Sequence, residues 1–174
     1  MQARSTAAAD RVVQAVKTDP RAGKYLTFEL GPEEFGIQVL KVREIMGVQD
    51  LTAAPQTPPC VKGVINLRGR AIPVVDLRLK FGLNEIPYTQ RTCIIVVQVT
   101  GDAGPTLMGI VVDGVSEVLN VAGGDVEDTP DYGPGAATPY ILGMAKVKGK
   151  VRILLEIDQV LSSRDLQGIG RIIH

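Results

Sequence analysis

Residues 63–77, GVINLRGRAIPVVDL, lie over residues 143–157, GMAKVKGKVRILLEI, at a constant offset of 143 − 63 = 80. Gly63 falls on Gly143, Arg68 on Lys148, Gly69 on Gly149 and Arg70 on Lys150, and Val74-Val75-Asp76-Leu77 falls on Leu154-Leu155-Glu156-Ile157. A second pair aligns as well: FGIQVLKVREIM at 35–46 lies over MGIVVDGVSEVL at 108–119, at an offset of 109 − 36 = 73. The long loop at 122–139, with four Gly and three Pro, absorbs the difference of seven. The chain is therefore built twice. Each unit reads as strand, turn, strand, Val-x-Glu-aliphatic, loop, basic-Gly-basic hairpin, strand and short helix. About five short strands per unit suit a small barrel, which closes its sheet and removes exposed edges. The predicted fold is mainly β: two packed five-stranded barrels with short helices, over units at approximately 24–91 and 92–162.

Composition agrees with this reading. The 174 residues are 45% hydrophobic but only 4% aromatic, with no Trp, so Val, Ile and Leu must supply the core. KYLTFEL (24–30) alternates, and EEFGIQV (33–39) returns after Gly31-Pro32. CIIVVQV (93–99) is an unbroken apolar run, the pattern of a strand buried on both faces. Leu26, Phe28, Ile95, Val97, Val111, Leu154 and Leu155 are the expected core. LKVREIMG (40–47) reads as one helical turn, and DLRLKFGL (76–83) as a short helix capped by Asp76. DQVLSSRDL (158–166) reads as a terminal helix. The barrels are expected to join near 84–92 and through the terminal segments. Residues 1–23 are expected to form a flexible tail, with a docked helix through Val12, Val13 and Val16 as the alternative, and 163–174 a second tail.

The chemistry on offer is sparse. Lys+Arg and Asp+Glu are both 19, so the basic excess of a nucleic-acid binder is missing. No apolar run reaches the length of a membrane span, and no signal-peptide centre precedes the first strand, which points to the cytoplasm. Cys60 and Cys93 stand alone and are expected to be reduced. His174 is the only histidine, and neither GxSxG nor a P-loop occurs. GIGRI near the C-terminus neither follows a strand nor opens a helix of useful length. Asp76, Asp113, Glu117, Asp125, Glu127 and Asp128 could in principle pair as acids, but Asp76 is better explained as a cap and the cluster at 125–128 as a solvated loop. A rigid β frame without a reactive constellation is a binding module: no enzyme, no metal, no cofactor. A small enzyme on a barrel scaffold is the remote alternative.

The basic crests leave two readings open. A two-residue hairpin loop needs φ > 0, which Gly69 and Gly149 supply cheaply, and a flanking charge in solvent costs little. Arg68 and Lys148 are then plain turn residues. Alternatively, a rigid frame holds one of them up as a contact.

Beyond these readings, FGIQVLKVREI, PPCVKGVINLRGRAIPVVDLRLKFG, GIVVDGVSEVL and ILLEIDQVL together resemble the CheW family of chemotaxis coupling proteins, from about Lys24 to Ser162. The resemblance implies two barrels of the Src-homology-3 type. It implies a cytoplasmic adaptor that joins the tips of chemoreceptors to the regulatory domain of the histidine kinase CheA, in arrays at the inner membrane. A CheW-like adaptor of a twitching-motility or second-messenger array is an alternative. Carried over position by position, receptor contacts fall on Val42, Glu44, Ile65, Asn66 and Arg68, with Lys148 left as a plain turn. Kinase contacts fall on Asp113, Gly114 and Val115. Gly63 serves by allowing close backbone approach, and is grouped with Gly69 and Gly149 as a turn glycine.

Overall fold

The computed structural model describes residues 19–53, 55–101, 104–128 and 140–162. Eleven strands form there. They are β1 (Gly23–Leu30), β2 (Glu33–Gln38), β3 (Val42–Gly47), β4 (Val61–Leu67), β5 (Arg70–Asp76), β6 (Cys93–Gly101), β7 (Gly104–Val112), β8 (Gly114–Val121), β9 (Val126–Glu127), β10 (Ile141–Val147) and β11 (Lys150–Leu155). Two single-turn helices, α1 (Leu77–Lys80) and α2 (Ile157–Val160), follow β5 and β11. Asp76 caps α1 by accepting a hydrogen bond from the Arg78 backbone N–H at 2.9 Å, and Glu156 caps α2 in the same way through Asp158.

The strands curl into two sheets, ordered β8-β1-β2-β11-β10-β9 and β3-β6-β7-β5-β4. The repeat is real: β1, β2, β3, β4 and β5 correspond to β6, β7, β8, β10 and β11. The parallel pairing proves the match, since Gly36 sits opposite Leu154 in one sheet and Gly109 opposite Val74 in the other. The sheets nevertheless do not follow the units at 24–91 and 92–162. Each takes its first hairpin from one unit and its other strands from the opposite unit. The chain crosses between sheets at the 3-10 turn Val39–Lys41 and again at Asp113. Residues 84–92 connect β5 to β6 within one sheet and do not join the two, contrary to the sequence expectation.

Strand alternation explains the exchange. On β6, Ile94 and Val96 fill the five-stranded barrel, whereas Ile95, Val97 and Val99 fill the layer between barrels. Val74 and Val75 divide in the same way, as do Leu154 and Leu155. The exchanged hairpins thus stand at the molecular centre and are buried on both faces, as the run CIIVVQV predicts. All seven expected core residues are buried.

Three local expectations need correction. LKVREIMG is not a helical turn: only Val39–Lys41 is helical, and Val42–Gly47 is strand, because its backbone pairs with β6. Gly63 is not a turn residue. It lies inside β4 at a register shift, with φ 140°, and a Cβ there would stand 2.3 Å from the Thr52 carbonyl oxygen. Residues before Lys24 also take part in the fold. Arg21 hydrogen-bonds Asp128 and the Leu142 carbonyl, and the Tyr25 hydroxyl donates to the Arg21 carbonyl at 2.7 Å. The rest of the N-terminal tail and helix reading, the C-terminal tail and the end of the predicted terminal helix lie outside the described residues.

Candidate protein-binding site

The two hairpin crests share an unusual backbone. Arg68 and Gly69 have φ 52° and 82°, and Lys148 and Gly149 have φ 55° and 76°. Positive φ at both central residues gives the turn a twist that matches the flanking strands. Sequence reasoning asked this of glycine alone. An L-residue in the left-handed region costs about 1–2 kcal/mol, so arginine and lysine are not free choices here.

The crests differ in what holds them. At the first, the Asn66 Oδ1 accepts a hydrogen bond from the Gly69 backbone N–H at 2.9 Å. The Arg68 guanidinium reaches Glu44 on β3 at 3.4 Å while its side chain stays 79% exposed. This pair spans β3 and β4, the two outer strands of the five-stranded sheet. At the second crest, Lys146 takes the place of Asn66 and pairs with Glu127.

The repeated Glu117 is placed differently from Glu44. It pairs at 3.4 Å with Arg152, whose Nε also lies 3.3 Å from Glu34 and whose Nη1 donates to the Val147 carbonyl at 2.9 Å. Arg152 is 2% exposed and occupies the position that Ile72 holds in the other barrel. One copy of the Val-x-Glu motif thus pairs with a buried arginine, and the other with an exposed one.

Val42, Glu44, Asn66 and Arg68 therefore lie across one barrel edge, with Val42 half-buried against the central core. Ile65 is not on that surface. It is 2% exposed and fills the barrel interior, because its neighbours in β4 alternate outward. The kinase candidates are also committed inward. Asp113 accepts from the Gly31 backbone N–H at 2.7 Å and from Arg78 at 2.6 Å. Gly114 is buried against Arg91, and Val115 packs on the central core.

Two features escaped the sequence reading. Leu40 on the 3-10 turn is 86% exposed, which its mixed spacing with Ile45 and Met46 did not foretell. A stack of rings, Phe28–Phe35–Phe81–Tyr140, with centroids 5.7–6.0 Å apart, crosses one inter-barrel seam. An apolar groove of about 330 Å³ opens beside it, lined among others by Leu30, Leu83 and Ile141.

Perturbed acids lie away from this face. Burial pushes the Asp76 carboxyl up, and burial next to Asp76 raises Tyr88 to about 12. Hydrogen bonds from Arg21 hold Asp19 below the ordinary range. Among the described residues, no group of three or more His, Cys, Asp or Glu is placed to hold a metal ion, and no helix is long and apolar enough to cross a membrane.

Comparison with known proteins gives a consistent result. The CheW-like domain family model matches residues 24–165. The chain is 39% identical over 149 residues to chemotaxis protein CheW of Klebsiella aerogenes, covering 86% of this chain and 87% of that protein. It is 35% identical over 140 residues to chemotaxis protein CheW of Rhizobium meliloti, covering 80% and 88%. Among solved structures, scaffolding protein TtCheW from Thermoanaerobacter tengcongensis matches with a TM-score of 0.73 at 29% identity, covering 83% of this chain and 95% of that one.

Proposed function

This chain belongs to the CheW family of chemotaxis scaffold proteins, and from that premise we propose that it joins chemoreceptor cytoplasmic tips to the regulatory domain of the histidine kinase CheA. It acts without catalysis, on the cytoplasmic side of the membrane, by holding two partners at once. The receptor face is the edge formed by Val42, Glu44, Asn66 and Arg68. Ile65 supports it from beneath by filling the barrel.

The observation that carries this assignment is the asymmetry of the repeated glutamates. Glu117 is spent on a buried arginine, whereas Glu44 steadies an exposed one. An exposed guanidinium on a short, capped turn can exchange water for charge-assisted hydrogen bonds at small entropic cost. The kinase face is assigned to the second unit around Asp113, Gly114 and Val115. These residues shape the surface from within, so contact there would pass through exposed neighbours such as Ser116 and Val118.

The test is a pull-down and titration with a purified receptor cytoplasmic fragment and, separately, with the CheA regulatory domain. Both are expected to bind the wild-type chain. Arg68→Ala is expected to lose receptor binding and keep kinase binding, and Lys148→Ala to keep both. Co-purification with a kinase of another chemosensory array, and none with CheA, would replace the pathway. Equal losses for Arg68→Ala and Lys148→Ala would remove the receptor face.

A further inference from the structure

The two seams between the barrels carry the same ionic clasp with its charges exchanged. At one seam, Asp113 on the β7–β8 crossing accepts from the Gly31 backbone N–H at 2.7 Å and pairs with Arg78 of α1 at 2.6 Å. At the other, Asp158 of α2 accepts from the Thr100 backbone N–H at 3.1 Å and pairs with Lys41 of the β2–β3 crossing at 2.8 Å. Gly31 and Thr100 occupy equivalent places at the ends of β1 and β6. The helix residues Arg78 and Asp158 are equivalent at the offset of 80, and the crossings Asp113 and Lys41 correspond to within one residue. Each clasp thus ties together an exchanged hairpin, the crossing and a helix. The acid sits on the crossing in one seam and on the helix in the other.

The Lys41 clasp has a further consequence. Arg43 adds a second tie to the same crossing, donating to the Leu40 carbonyl at 2.9 Å and to the Gln98 side-chain oxygen at 3.0 Å. Held at two points, the Val39–Lys41 turn presents Leu40 to solvent and leads directly into Val42 and Glu44. We propose that Lys41 and Asp158 are positioning residues that fix the β2–β3 crossing, and with it the receptor face; the receptor part rests on the function proposed above. The pair touches no partner. It acts by holding Leu40, Val42 and Glu44 in their bound arrangement, so that binding need not order them.

The reversed polarity of the other seam supplies the test. In full-length Lys41→Asp, a carboxylate faces Asp158; in Asp158→Arg, a guanidinium faces Lys41. Either single variant is expected to bind a receptor fragment at least about tenfold more weakly and the CheA regulatory domain within about twofold of wild type. The double variant Lys41→Asp, Asp158→Arg recreates the Asp113–Arg78 arrangement, with the carboxylate now on the crossing and able to accept from the Thr100 backbone N–H. It is expected to recover receptor affinity to within about threefold. Amide hydrogen exchange at Thr100 and across 38–46 needs no partner, and is expected to speed in the single variants and slow again in the double. Should a single variant fail to fold, Lys41→Met and Asp158→Asn remove charge at nearly constant size and are read in the same way. Unchanged exchange in folded single variants, or no recovery in a folded double, overturns the positioning role. Parallel loss of both partners in step with stability also overturns it and leaves the clasp purely structural. A wild-type chain that binds no receptor fragment overturns the proposed function alone, and the exchange measurement still decides the clasp.

Discussion

Arg68→Asn is expected to move stability and receptor affinity in opposite directions. Arg68 sits at φ 52°, where an ordinary L-residue is penalised by about 1–2 kcal/mol and asparagine is much better tolerated. Against this gain stands the loss of the Glu44 pair, 3.4 Å long and largely in solvent, worth about 0.2–1 kcal/mol. The balance is a net gain of about 0.5 kcal/mol, or about 1–2 °C in Tm for a domain near this size. Receptor affinity should fall. A guanidinium desolvated near the centre of an interface is worth about 2 kcal/mol or more, roughly a thirtyfold change in Kd. Lys148→Asn relieves the same strain at φ 55° without losing a Glu44-type pair, and should gain at least as much stability with no change in affinity. Urea unfolding of the three proteins gives the first quantity, and titration with a receptor fragment gives the second. If Arg68→Asn binds the receptor as tightly as wild type, Arg68 is only a turn residue. If it is less stable than wild type while Lys148→Asn is more stable, the Glu44 pair outweighs the backbone strain and the energetic argument is wrong.

Three further outcomes are expected. Arg152→Ala should cost about 3 kcal/mol in urea unfolding, because it strands the largely buried Glu34 and frees the Val147 carbonyl; a loss below about 1 kcal/mol would show that water reaches this site. Asp76→Asn should keep the α1 cap and remove a pH dependence. Burial raises the Asp76 carboxyl above its unfolded value, so its protonated form favours the fold and stability falls as pH rises through the folded value. The asparagine variant should therefore gain on wild type between acid and neutral pH, and a constant difference would count against it. Separately expressed fragments 24–91 and 92–162 should each stay unfolded by circular dichroism and regain β structure on mixing, since each barrel needs a hairpin from the other unit; a fragment folding alone would contradict the exchange.

Much of this architecture is legible in the sequence alone. The offsets of 80 and 73 announce two equivalent units, and strand alternation places the core because its period is simply two. Gly69 and the Asp76 cap follow from local backbone rules. The site is less legible, for identifiable reasons. Ile65 enters the expected contact set only through the family resemblance, yet the same alternation turns it inward. The Glu44–Arg68 pair joins strands that are neighbours only once the barrel closes. Glu44 and Glu117 are identical in the repeat, and only Arg152 against Ile72 separates them. The strain at Arg68 depends on φ, which composition does not reveal.

The exchange of hairpins is illegible for a deeper reason. The hydrophobic pattern of β1 and β2 satisfies either barrel, because both units present nearly the same neighbours: Leu154 opposite Gly36 where Val74 lies opposite Gly109. What selects the exchanged arrangement is the crossing. Val39–Lys41 is one 3-10 turn, and Asp113 is a single residue between strands. Such short connections carry the chain out of one sheet and into the next before it can fold back beside its own hairpin. Each crossing is then tied by a clasp whose partners are distant in sequence: Lys41 to Asp158, and Asp113 to Arg78. The exchange leaves neither barrel complete without the other, so displacement at one crossing is resisted by both sheets. For a scaffold protein, that shared construction supplies rigidity that two barrels on a linker would lack.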